Sequence, residues 1–359
     1  MRRNLTDAAF WILAVLVLLW TVLPPPRAWV ESLYSHGLYR WIAGCLVPVG
    51  DLAPFSLGAL ALVLVIPLGS VLLLRSLQRR RRQRTPWGRW SFRGLRKLAA
   101  SVVVGYAAFL LVWGANYRRQ PVEVQLQLDE GEIDTDEVHS FVERLVAMIE
   151  RDAPTAGERD VARALASVRE SLSRFLEDLH GHPPPLPTRV KALPAGFLLS
   201  FATSGTIVPV FLEAQTDAAM TDDWFLGVAA HELAHVAGYA GEADADLIGT
   251  IAGLRAEDPF ARYAAALHAL GRFLRALPRN ARESVRSALP RVARSDLEAR
   301  RKVALRYRRA GLVHLHQKVY DVYLHSQGVE AGIEDYSRTV ELLVRARRKS
   351  LLPIAPRSE

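Results

Sequence analysis

Residues 231–249 read HELAHVAGYAGEADADLIG, directly after the apolar run FLGVAA at 225–230. The apolar run predicts a helix, and on a helix His231 and His235 lie a little over one turn apart, so both imidazoles face one side. Two imidazoles at that spacing can share a tetrahedral zinc ion, with Glu232 beside the open coordination position as general base for a water. Such a site needs a third protein ligand. Gly238 and Gly241 permit the chain to turn back, and a second helix starting near Glu242 would set Glu242 and Asp246 on one face. Glu242 is then the expected third ligand, and Asp246 the acceptor for the free nitrogen of a ligand histidine. Asp244 points away on that helix and reads as an acidic first turn that satisfies the helix dipole.

Upstream, Thr188–Leu193 and Phe197–Leu212 are rich in Val, Ile, Phe and Thr, punctuated by Gly205 and Pro209, and read as short strands, at least one of them an edge. Gly205–Glu213 (GTIVPVFLE) could offer its edge to an extended peptide, with Glu213 either orienting a substrate or merely ending the strand. Helical spacing covers Gly131–Asp152, with Asp134 or Thr135 as N-cap, and Ala156–His180, which Pro183–Pro187 stops. From Trp224 onward helix follows helix, broken at Gly238, Pro259, Pro278, Pro290 and Gly328. The Arg-rich stretch Arg272–Arg309 reads as a solvated helical face. Candidates for steadying an oxyanion are Tyr239, Tyr263, His268, His314, His316, Tyr320, Tyr323 and Tyr336, among which spacing cannot choose.

The front third differs in kind. Seven of the eight Trp lie at 11, 20, 29, 41, 87, 90 and 113, and residues 1–97 hold 14 basic and 3 acidic side chains of the 46 and 37 in the 359-residue chain. Half of the residues are hydrophobic, so disorder, collagen and a disulfide scaffold are excluded, and the single Cys45 can form no intrachain disulfide. Apolar spans are expected at about 8–24, 52–74 and 98–115, with a helix lying in the membrane interface over 28–49. Ten of the basic residues and no acidic one fall between Arg75 and Lys97. That run is expected to be a cytoplasmic loop, which puts everything after Asn116 outside. No nucleic-acid recognition fold accompanies it, so nucleic acid is not expected as a partner.

Four blocks carry a resemblance: WGANYRRQP at 113–121, SGTIVPVFLEAQ at 204–215, the 231–249 stretch, and VYDVYLHSQGVEAGIEDYSRTVELL at 319–343. The chain resembles the bacterial family known as domain of unknown function 3810, membrane proteins regarded as zinc metallopeptidases. Glu-x-x-Ala-Asp after HExxH is also similar to the third-ligand segment of gluzincins, which implies Glu242 as ligand and Asp246 behind it. The expected architecture is mainly α, in an α+β sense: a membrane domain over 1–116, then a zincin-like, helix-dominated extracytoplasmic domain with a small sheet over 117–359. The expected activity is a multi-pass zinc metallopeptidase of the bacterial cytoplasmic (inner) membrane. It would bind one Zn2+ at His231, His235 and Glu242, with Glu232 as general base and Tyr320, Tyr263 or Glu213 touching the substrate or its oxyanion. Its partners would be a peptide or protein substrate and the lipid bilayer. The alternative is a membrane-anchored sensor or scaffold in which the zinc is structural.

Overall fold

A computed structural model describes residues 2–155, 157–327 and 338–353, with only the backbone of residues 2–9. The chain is mainly helical. In order come α1 (Arg2–Val22), α2 (Arg27–Trp29), a π-helix (Val30–Leu38), α3 (Tyr39–Asp51), α4 (Leu57–Arg82), α5 (Trp87–Val112), a 3-10 turn (Gly114–Arg118), α6 (Val122–Gln125), α7 (Thr135–Arg151) and α8 (Val161–His180). Strands β1 (Lys191–Leu193), β2 (Gly205–Val208) and β3 (Glu213–Asp217) follow, with a 3-10 turn at Leu199–Phe201. The rest is helical: α9 (Asp222–Val236), α10 (Glu242–Arg255), α11 (Pro259–Ala276), α12 (Arg279–Ala288), α13 (Arg291–Tyr307), α14 (Ala310–Ser326) and α15 (Arg338–Arg348).

Helices α4 and α5 are long and apolar enough to cross a membrane. The segments Phe10–Val22 and Arg27–Asp51, bent by 120° at their junction, would make a third span only if the pair is taken as one. The basic run is not a loop: α4 continues to Arg82, α5 starts at Trp87, and only residues 83–86 turn between them. Leu, Gln and Arg are good helix formers, and Arg79–Arg82 in the last turn of α4 complement the negative end of its dipole. Nor does 28–49 only lie on a surface. Val30, Tyr39, Ala43 and Val47 are buried, and the last three share one core with Trp113, Val122 and the helices around α9. The packing is therefore continuous across residue 116.

That core is built from α7 to α11 and α15. Asp134 begins α7 with a capping box, and Asp160 and Asp258 accept from backbone N–H groups at the starts of α8 and α11. Phe141 of α7 stacks on Phe273 of α11 at 4.6 Å, among buried Leu145, Ile149, Leu172 and Phe260.

The sheet runs β1-β3-β2, with β1 parallel and β2 antiparallel to β3 and Thr206 opposite Gln215. The expected strand over 197–212 is only β2, and the central strand is the polar segment EAQTD, which lacks the apolar signal of a strand. All five of its residues are buried because their polar groups are satisfied. Asp217 accepts from the N–H groups of Gly196 (2.8 Å) and Leu198 (2.9 Å). Glu213 pairs with buried Lys191 at 2.5 Å and accepts from Leu57 N (2.9 Å) and Gly58 N (3.1 Å) at the start of α4. Glu213 thus clamps α4 to the sheet, and its carboxylate is buried away from the residues that line the cleft.

Candidate metal centre

The HELAH residues lie on α9, which ends in a Schellman motif: Gly238, at φ +95°, donates to His235 O (2.8 Å), and Tyr239 N donates to Ala234 O (3.2 Å). With Gly238 in the left-handed region, only residues 237–241 are needed to bring α10 back across α9. Three side chains from the front of the chain hold that end. Tyr39 Oη donates to Val236 O (2.7 Å), Trp113 Nε1 to His235 O (3.4 Å) and Arg119 Nη1 to Gly238 O (3.2 Å). Val236 O and Gly238 O gain a donor at a helix end that leaves carbonyls over, and His235 O, which already accepts from Gly238 N, gains a further one. Arg119 is itself locked by buried Glu31 of the π-helix through Nε (3.1 Å) and Nη2 (2.6 Å).

The two imidazole planes stand at 89° with centroids 4.6 Å apart. His231 Nδ1 is 2.9 Å from Asp246 Oδ1, and His235 Nδ1 is 2.7 Å from the carbonyl of Tyr239. A carbonyl can only accept, so His235 carries its proton on Nδ1 and presents a lone pair on Nε2. Both Nε2 atoms face Glu242 Oε2, at 3.2 Å from His231 and 3.8 Å from His235. Buried His231, His235 and Glu242 thus form a group that can hold a metal ion. Its other carboxylate oxygen, Oε1, accepts a hydrogen bond from Tyr320 of α14.

Charge in this pocket is strongly biased. Burial opposes ionisation of Glu242, yet the two histidines hold its carboxyl well below the usual range. Burial also opposes a charged His231, but Asp246 and Glu242 outweigh it and lift the imidazole to about 10. The two carboxylates thus favour positive charge at this point of the pocket. Glu232 behaves oppositely: burial raises its carboxyl to about 7, and its Oε2 is buried without a hydrogen-bond partner. An unsatisfied buried carboxylate oxygen beside a group that can hold a metal ion suits a site that receives water. Strand β2 passes so close that a Cβ on Gly205 would lie 2.2 Å from Glu232 Oε1.

All of this opens into a cleft of about 1170 Å3 bordered by β2, α9, α11, α13 and α14. His268, His316, Tyr320 and Tyr323 line it; Tyr239 and Tyr263 are buried elsewhere, and His314 is exposed. Tyr263 does not reach the site, because it donates to Asp296 (2.7 Å). Tyr336 lies outside the described residues. The Arg-rich stretch is not wholly solvated: Arg272, Arg275, Arg300 and Arg301 line the cleft. Arg272 donates to Asp246 (2.7 Å) and Arg300 to buried Asp223 (2.5 Å), since buried carboxylates require cationic partners. Thr339 of α15 also donates to Asp246, at 3.1 Å. These contacts, like those of Tyr39, Trp113 and Arg119, join positions far apart in the chain, and no local spacing announces them.

No curated protein and no solved structure matches the chain. A family model described as Protein of unknown function (DUF3810) matches residues 34–344, a range that starts inside the π-helix and takes in the α4–α5 hairpin as well as the histidine helix. The shared range follows the continuous packing of the fold, and the chain belongs to that family.

Proposed function

We propose that this chain is an integral membrane zinc metallopeptidase with its site on the outer side of the bacterial cytoplasmic membrane. The observation that carries the reading is the pair of Nε2 atoms converging on Glu242 while Glu232, one residue from a ligand histidine, keeps a buried oxygen without a partner. Two imidazoles and a carboxylate suit zinc, and three protein ligands facing an open cleft are the arrangement of a catalytic rather than a closed structural site. A zinc ion held by His231, His235 and Glu242 would polarise the scissile carbonyl and make water more acidic. Glu232 takes the proton of the attacking water and passes it to the leaving amine, a role that a carboxyl held near 7 performs in both directions. Asp246 and the Tyr239 carbonyl keep the two imidazoles in the ligating tautomer. The free edge of β2, beside Glu232, holds an extended peptide through backbone hydrogen bonds.

Orientation follows from charge. Each 26-residue helix of the α4–α5 hairpin is about 39 Å long, enough to cross a hydrocarbon core of roughly 30 Å. The Arg-rich turn lies at one end and the contacts to the metal centre at the other. The excess of arginine keeps that turn in the cytoplasm, which leaves the cleft outside.

The deciding experiment is Glu232→Gln on detergent-purified full-length protein, read by zinc content and by hydrolysis of a fluorogenic peptide library. Retained zinc with lost hydrolysis supports the enzyme. A variant that cleaves like the parent, with His235→Ala unfolding the protein, would make the metal structural and the chain a sensor or scaffold.

A further inference from the structure

Beyond Leu111, the exposed large apolar side chains of the described residues are Val124, Phe197, Val210, Leu305, Leu312, Leu315, Val319 and Val322, and the last four share the single helix α14. Their exposures rise along the helix, from 37% at Leu312 and 57% at Leu315 to 61% at Val319 and 70% at Val322. At about 100° per residue they form one stripe, next to the face that carries His316, Tyr320 and Tyr323 into the cleft. His314, Lys318, Asp321 and His325 occupy the remaining sector. A soluble helix has no reason to turn an apolar stripe outward beside a polar one.

What the stripe meets is indicated by its neighbour. Tyr323, next to Val322, packs its ring against Phe109 in the last turn of α5 (6.3 Å) and against Tyr117 just beyond (5.9 Å). The C-terminal end of α14 therefore lies where α5 leaves the membrane. From there an aromatic series climbs the cleft wall, Tyr323 to Tyr320 (6.0 Å), Tyr320 to His316 (5.4 Å) and His316 to Phe201 (6.2 Å). We infer that α14 rests in the lipid interface beside α5, Val322 and Val319 deepest and Leu315 and Leu312 progressively shallower. One lip of the cleft is thereby in contact with lipid. Apolar side chains continuous with a membrane-spanning surface gain burial in the acyl region, while the lysine and histidines of the polar sector remain in water. The inference rests on the reading of α5 as a span, not on hydrolysis.

The test is nitroxide scanning of the full chain in lipid nanodiscs, with exposed Cys45 first replaced by Ser. Labels at Val322→Cys, Val319→Cys, Leu315→Cys and Lys318→Cys are compared with Val104→Cys in the middle of α5. The expected ratio of oxygen to nickel-chelate collisions is above one at 322 and 319, declines toward 315, and is below one at 318. Water-like ratios at 319 and 322 with a lipid-like ratio at 104 overturn the inference alone, as does shielding from both relaxants, which would mean a protein partner covers the stripe. A water-like ratio at 104 overturns the membrane reading itself.

Discussion

Tyr320 donates its hydroxyl proton to Glu242 Oε1, across 78 positions of sequence, while Oε2 of the same carboxylate faces His231 and His235. The phenol thereby selects which oxygen is offered to a metal. Tyr320→Phe should leave the fold intact and weaken zinc binding by about 10- to 100-fold, the usual cost of losing a partner behind a ligand. Competition with a chelator of known affinity measures it, and unchanged affinity would show that the phenol does not position the carboxylate.

Gly205→Ala is expected to be far more harmful to turnover than to metal binding. The new methyl would sit 2.2 Å from Glu232 Oε1 and 2.7 Å from Val228 Cγ1, so either β2 or the carboxylate must move. A displacement near 1 Å of a reacting group costs on the order of 100-fold in rate. Parallel assays of zinc content and peptide hydrolysis should therefore separate, with zinc near that of the parent and hydrolysis lost.

Tyr39→Phe tests whether the membrane-proximal segment braces the histidine helix. It removes the hydrogen bond to Val236 O in a fully packed setting and leaves a buried carbonyl unsatisfied. A loss of about 1–3 kcal/mol is expected, seen as a lower melting temperature in detergent. No change in melting would mean that the end of α9 is secure without this brace.

Acid stability should depend on Glu137. The Arg348 side chain and the Asp134 N–H hold its carboxyl at about 2, against an ordinary value of 4.5. The folded state thus binds this proton less readily than the unfolded one, so the contribution is complete above about 4.5 and is lost as pH falls toward 2. Glu137→Gln should flatten part of the decline in melting temperature over that window while lowering stability at neutral pH. An identical acid limb in variant and parent would show that the pairing of α7 with α15 does not contribute.

The residues of the metal centre were legible because their geometry is local. Spacing by four on a helix puts His231 beside His235 and Glu242 beside Asp246, and a glycine at 238 is what a helix needs in order to stop and reverse. The apolar runs that became α4 and α5 were legible for the same reason, although their ends were not: Arg75–Lys97 carries charge that looks like a loop and helix propensity that prevails. Strand β3 was not legible. Its residues are polar, and only partners such as Lys191 and Ser56 make them stable in the interior.

By itself the sequence determined which three residues form the group that can hold a metal ion and which two helices are long and apolar enough to cross a membrane. Each depends on residues within a turn or two of one another, where backbone periodicity decides what shares a face. Only the tertiary structure decided that Glu213 braces α4, that Tyr263 is remote, that Tyr320 holds the Glu242 carboxylate, and that Tyr39, Trp113 and Arg119 close the end of α9. Those outcomes depend on which distant elements meet, and that is settled by packing and by the cost of leaving buried polar groups without partners.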